Sequence, residues 1–227
     1  MSTDKADAPP GRSAPRRPMT GLPQCGALAR ARPLPPPPDD DRCFALWRAY
    51  EMLPNVRGHS LLVAHIATRL AERAVEQGFD VSVEQVRAAA MLHDIAKSYC
   101  VRYGGSHAMI GASWVVERTA HYPVAQGVLF HVHWPWPLPE GASICGLPFF
   151  IIYADKRVRH DHCVNLKERF EDLLARYGKN AEARQSIRES FAQGKNIERA
   201  FTALLKWDMH EDSFDCGRLV EREGGFP

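Results

Sequence analysis

From Phe44 to Trp207 apolar residues recur three or four positions apart, and nowhere do they alternate with polar residues over a run bounded by turns. The first spacing lays a single apolar stripe along a helix and the second would build strands, so the chain is predicted to be all-α. The clearest stripe is Leu62, Val63, Ile66, Ala67, Leu70 and Ala74, on a helix expected from near Val56 to Gln77 and stopped at Gly78. An earlier helix beginning near Cys43 carries Phe44, Leu46, Trp47, Tyr50 and Leu53 and ends at Pro54. Ser82 with Gln85 resembles a capping box that opens a third helix, which runs through Val86, Ala89, Ala90 and Leu92 and has His93 and Asp94 near its end. Further helices are predicted over 106–118, 123–132, 148–159, 164–177 and 181–192, the last two closed by Gly178 and Gly194. A final stretch holds Ile197, Phe201, Leu204, Leu205 and Trp207. No internal repeat is found.

These helices call for one domain, placed at 42–210. With hydrophobic residues at 45 % of 227, the chain is long enough to bury one sizeable core. Residues 1–41 are rich in proline and end in Pro35–Pro38 and three aspartates, a composition that cannot form a core, so they are expected to be a disordered tail. Residues 211–227 are expected to be a second tail. A net charge of +2 gives no field that argues for nucleic acid or membrane as a partner. No apolar run approaches the ~20 residues of a membrane span, and no secretory stretch opens the chain, so a cytoplasmic protein is expected. The six cysteines, Cys25, Cys43, Cys100, Cys145, Cys163 and Cys216, show neither close pairs nor dense spacing and are read as free thiols.

Within the apolar run Ala90 to Lys97 stand His93 and Asp94. A carboxylate among such neighbours needs a partner that alkyl groups cannot supply, and a metal ion is the natural one. Further candidate ligands are His59 upstream and His107, His131 and Asp155 downstream. Packed helices can aim such residues at one point, as bundle proteins do when they assemble metal sites from separate helices. Imidazole and carboxylate suit a divalent ion such as Fe, Mn, Zn, Mg, Ni or Co, and the absence of clustered cysteine argues against a structural zinc knuckle.

The segments Gly58-His59-Ser60 with Val63-Ala64, Leu92-His93-Asp94-Ile95-Ala96-Lys97 and Tyr153-Ala154-Asp155-Lys156 fall in an order and helical context that resembles the HD-domain metal-dependent phosphohydrolase superfamily over roughly residues 55–160. The resemblance implies an HD-domain helical bundle with additional C-terminal helices, and a metal site of His59, His93, Asp94 and Asp155. His107, which opens His-Ala-Met-Ile-Gly-Ala, and His131 are similar to the ligands of the two-metal subgroup, which includes HDIG-type proteins and bacterial hydrolases of diadenosine tetraphosphate. In that subgroup Asp94 would bridge to a second ion held by His107 and His131. The implied chemistry is cleavage of a phosphate ester or anhydride by metal-activated hydroxide. Lys97 matches a family lysine that reaches a phosphate oxygen, and His93, Asp94 and Lys97 are the implied catalytic residues.

The run after His131 departs from the subgroup, reading Val132-His133-Trp134-Pro135-Trp136, so His133 is an alternative ligand to His131. Trp134 and Trp136 either stack on a nucleobase or pack against the domain. Lys156, Arg157 and Arg159 add charge around Asp155, with a surface position expected for the two arginines. His65 lies off the ligand face, and His160-Asp161-His162 reads as a turn rather than a ligand triplet. The expected partner is a small nucleotide or phosphate ester; a cyclic nucleotide or dinucleotide phosphodiesterase, or a slow nucleotide-binding regulatory module, are the alternatives. The helices after residue 163 carry no catalytic motif and are expected to complete the bundle or offer the surface of a homodimer.

Overall fold

In the computed structural model, which describes residues 33–160, 162–214 and 216, the first helix (α1, Asp40–Ala49) opens two residues inside the stretch expected to be tail. The reason is local: the Asp39 side chain accepts from the Arg42 backbone N–H, and Asp40 and Asp41 follow it, so the three aspartates form the cap and acidic first turn of a helix rather than the end of a linker. The expected tail up to residue 32 lies outside the described residues, as does the end of the C-terminal one.

Eight more α-helices follow among the described residues: α2 (Pro54–Glu76), α3 (Val83–Leu92), α4 (Lys97–Tyr103), α5 (His107–Thr119), α6 (Tyr122–Phe130), α7 (Leu147–Asp155), α8 (Leu166–Tyr177) and α9 (Ala181–Leu205). The fold is all-α, with one small exception to the expected absence of strands. Val158–Arg159 (β1) pairs antiparallel with His162–Cys163 (β2), a hairpin too short to show a period in the sequence. His160 sits in its turn with a φ of +59°, consistent with the turn expected there; Asp161 lies outside the described residues.

The core is the α2 stripe and what it meets. Val63, Ile66, Ala67 and Leu70 are fully buried, and α2 packs against α3 and α7. Helix α7, Leu-Pro-Phe-Phe-Ile-Ile-Tyr-Ala-Asp, is buried from Phe149 to Ala154, the pattern of a helix enclosed on all sides. It ends at Asp155 rather than at Arg159. Arg157 is not at the surface: it is wholly enclosed, donating to the Val164 and His210 carbonyls and to the Tyr153 hydroxyl.

Two expectations from the sequence are corrected. Gly194 does not end a helix; α9 runs through it, because that residue's bare backbone is where the Lys156 side chain packs, with Lys156 Cδ 3.1 Å from the position a Cβ would take. The thiols are not all free either. Cys163 of the hairpin and Cys216 form a disulfide across 53 residues of sequence, the Cα atoms 6.2 Å apart, whereas Cys43, Cys100 and Cys145 are free. The fold brings the pair together, and no short spacing announces it. No helix among the described residues is long and apolar enough to cross a membrane.

Candidate metal centre

Helix α3 stops one residue before the His93-Asp94 pair instead of carrying it. His93 is the C-cap, and its Nδ1 lies 2.7 Å from the Ala90 carbonyl oxygen, while the indole N–H of Trp47 donates to the Met91 carbonyl. Two last-turn carbonyls are thereby satisfied by side chains, and the chain turns tightly through residues 93–96 into α4. The same device recurs at α6, where the C-cap His131 places its Nδ1 2.6 Å from the Val128 carbonyl. A carbonyl only accepts, so in both residues Nδ1 carries a proton, and in the neutral ring Nε2 then presents a bare lone pair. At His93 that Nε2 is buried with no hydrogen-bond partner among the described residues.

The remaining residues converge on these two imidazoles. His59, from the first turns of α2, lies with its Nε2 3.0 Å from Asp155 Oδ1 at the end of α7. Asp94 stands between two sets. Its Oδ2 faces His93 Nε2 at 3.6 Å and His59 Nε2 at 4.0 Å, while its Oδ1 faces His107 Nε2 at 3.2 Å and His131 Nε2 at 3.7 Å. Lys97 Nζ is 3.5 Å from that same Oδ1. Two groups have donor atoms spaced closely enough for one ion each, His59 with His93 and Asp155, and His93 with Asp94 and His131.

Charge states favour cation binding. Burial pushes the Asp94 carboxyl up, but His93, His131 and Lys97 outweigh it and hold it well below the usual carboxylate range. Asp155 is held low in the same way, burial being overcome by the His59 hydrogen bond and charge and then by Arg169. Burial drives His93 down to about 4 against the raising influence of Asp94, and His107 falls to about 4 for the same reasons. Near neutral pH the site therefore offers the ionised Asp94 and Asp155 carboxylates and neutral imidazoles at His93 and His107, the protonation states that ligate metals. An enclosed lone pair at His93 beside a buried carboxylate fits a divalent cation and fits little else.

The six candidate ligands, His59, His93, Asp94, His107, His131 and Asp155, meet here with Lys97 beside them, and His131 rather than His133 is at the cluster. His133 is exposed and lines the cavity in front of it, of about 390 Å³. Trp134 is not in that lining. It packs on Phe130, Trp136 and Phe149, and exchanges two hydrogen bonds between its backbone and the Gln193 amide. His65, off the ligand face, contacts the Phe214 carbonyl. The cavity's outer wall comes from helices expected only to complete the bundle or meet a partner: Arg169, Leu173 and Tyr177 of α8 and Ser186, Ile187 and Ser190 of α9. In the sequence they read as ordinary amphipathic positions, and only the packing of α8 and α9 against the site reveals them.

The HD-domain family model matches residues 56–186, from the start of α2 into α9. The chain belongs to the HD-domain family. HD domains are a helical fold associated with metal-dependent phosphohydrolase activity, and this member has the His/Asp clusters able to hold a divalent ion. It is similar to the Ribonuclease Y of Wolinella succinogenes, 38 % identical over 93 residues, and to that of Protochlamydia amoebophila, 33 % identical over 91 residues. Each alignment covers 40 % of this chain and 17 % of the relative, so the chain spans less than a fifth of the curated proteins it matches. No solved structure matches it.

Proposed function

We propose that this protein is a metal-dependent phosphohydrolase that cleaves a phosphate ester or anhydride of a nucleotide or small phosphorylated metabolite. The observation that carries this reading is the division of Asp94, one carboxylate oxygen toward His59 and His93 and the other toward His107 and His131. That arrangement suits one ion held by His59, His93, Asp94 and Asp155 and a second held by Asp94, His107 and His131. Bound divalent ions at such a centre supply an activated water and a Lewis acid for phosphoryl oxygens.

The chain's own groups do the rest. The Ala90 and Val128 carbonyls fix the tautomers of His93 and His131, and with them the direction of both lone pairs. Lys97, 41 % exposed at its side chain and 3.5 Å from Asp94, stands beside the cluster at the cavity, where its ammonium can donate to a phosphoryl oxygen as charge develops there. A cavity of about 390 Å³ walled by α8 and α9 is in the size range of small-ligand sites. Together with a net charge of +2, that favours a small substrate over the RNA that the relatives' name brings to mind.

The test is hydrolysis of bis-p-nitrophenyl phosphate, a nucleotide panel and a single-stranded RNA by protein supplied with manganese, iron or zinc. The expected outcome is turnover of small phosphate esters in preference to RNA, lost by about a thousandfold in His93→Ala and Asp94→Ala. Hydrolysis that continues unchanged in both variants contradicts the assignment.

A further inference from the structure

The motif residues account for only part of the cavity. On the α8 wall Arg169 is 16 % exposed at its side chain, and its Nη1 lies 3.3 Å from Asp172 Oδ2. That carboxylate does not neutralise it alone, because Asp172 is shared: Arg176 Nη2 and Nε lie 2.7 and 2.8 Å from the other oxygen. Two guanidinium cations face one carboxylate, and the trio keeps a net positive charge, which Arg169 also turns toward Asp155 of the cluster. The Nε–H of Arg169 is enclosed with no acceptor among the described residues. A guanidinium on a cavity wall whose carboxylate partner is shared with a second arginine is a group arranged for an anion that comes from outside the chain.

Its position is distinct from that of Lys97, the cation beside Asp94 in the lining. Lys97 is 3.5 Å from Asp94 and acts electrostatically on Asp94 and His107, whereas Arg169 acts on Asp155 and Lys156. The two cations thus address different ends of the histidine and aspartate cluster. Lys156 is no substitute for Arg169, since its ammonium is buried and donates to the Val132 and Ile152 carbonyls. The carboxylate that α9 contributes to this wall, Glu189, lies within electrostatic reach of His133. Between and around these charges Leu173 and Ile187 give the same wall an apolar component, and Ser186 and Ser190 give it hydroxyls.

We propose that Arg169 is a specificity-determining residue that binds a second phosphate group of the substrate, one that is not at the reacting position, so that the preferred substrate class is a small organic phosphate carrying two phosphates, of the nucleoside diphosphate type. This rests on the phosphohydrolase reading for the fate of the first phosphate. Lys97 and the metal centre address the phosphate to be cleaved, Arg169 the one held, and the Leu173–Ile187 surface lies against the organic part. A guanidinium suits this task because its planar fork meets two phosphate oxygens at once, which a lysine ammonium at the same place does not.

The experiment is isothermal titration of the manganese-loaded full chain with the non-hydrolysable methylene analogues of ADP and AMP, paired with its hydrolysis of bis-p-nitrophenyl phosphate. Wild-type protein is expected to bind the ADP analogue about tenfold or more tightly than the AMP analogue. In Arg169→Gln that preference falls to about threefold or less, while affinity for the AMP analogue stays within about twofold. Arg169→Lys retains an intermediate preference, and Ser190→Asp, which puts a carboxylate on the same wall and does not disturb the Asp172 cluster, lowers it as well. Equal weakening of both analogues in Arg169→Gln, a wild type without preference, or a wild type that binds neither overturns the proposal. Should Arg169→Gln fail to fold, the Ser190→Asp result decides. The two readings fail separately. A preference that depends on Arg169 in a protein that hydrolyses no phosphate ester refutes the phosphohydrolase reading alone; hydrolysis without the preference refutes the role of Arg169 alone.

Discussion

The Nε2 atoms of His107 and His131 face each other across 3.1 Å. His131 has placed its proton on Nδ1, against the Val128 carbonyl, so at least one of the two facing nitrogens is a lone pair. Nitrogens that share a cation at about 2.1 Å and near a right angle stand about 3 Å apart, so the two rings hold the spacing of ligands on one ion. They also come from different helices, the first residue of α5 and the C-cap of α6, which pack extensively on each other.

Replacing His107 should therefore empty one ion position and leave the other. In His107→Ala the metal content measured by plasma mass spectrometry is expected to drop by one equivalent, with hydrolysis reduced about a hundredfold or more. Unchanged metal content would remove His107 from the ligand set.

Lys97 is expected to act on the substrate and not on the metal. Lys97→Met should lower kcat/KM by about a hundredfold, the order seen when one donor to a developing oxyanion is removed, with metal content and melting temperature unchanged. Steady-state kinetics and metal analysis on the same preparation separate this from a loss of Asp94 positioning, which would lower metal content too.

Acid should weaken the metal-stripped fold in a defined window. His93 and His107 titrate near 4 in the folded protein against an ordinary value of 6.5, so between those two pH values the unfolded chain binds protons that the folded chain does not. Stability contributed by keeping these imidazoles neutral is thus complete above pH 6.5 and is lost as pH falls toward 4, at roughly 2 kcal/mol for each by pH 5. Asp94 and Asp155, held low, add a loss of the same sign only at still lower pH. Urea midpoints of chelator-treated protein should fall steadily from pH 7 to 5, and the fall should flatten in His93→Asn/His107→Asn.

Gly127 sits in the middle of α6, and a Cβ there would meet Leu147 Cδ2 and lie 2.8 Å from the Ala89 Cβ. It lets α6 approach α3 and α7 closely enough to bring His131 to the centre. Gly127→Ala is expected to lower stability by about 1–3 kcal/mol despite alanine's better helix propensity, an overpacking effect read from thermal or urea unfolding. A more stable variant would show that the three helices have slack at this point.

What could be read from the sequence followed from residues whose chemistry is out of place. A histidine beside an aspartate in an apolar run stands out whatever the neighbours do, and the ligand-type residues around it did meet. The α2 stripe and the Ser82 cap are likewise local signals, and the helices they predicted are present within a residue or two. The missed features are those that only tertiary packing creates. Helix α4 is seven residues long and follows a four-residue turn, too little for a period to emerge. Gly194 looked like a terminator because its packing against Lys156 is invisible along the chain. The Cys163–Cys216 pairing spans 53 residues, and Arg169 became part of the site only because α8 folds back over it.

The most direct measurement is anomalous diffraction from crystals grown with manganese. Two peaks flanking Asp94 are expected, one among His59, His93 and Asp155 and the other between His107 and His131, each near a different oxygen of the Asp94 carboxylate. A single peak that leaves His107 and His131 without metal, or none near Asp94 at saturating manganese, would contradict the account.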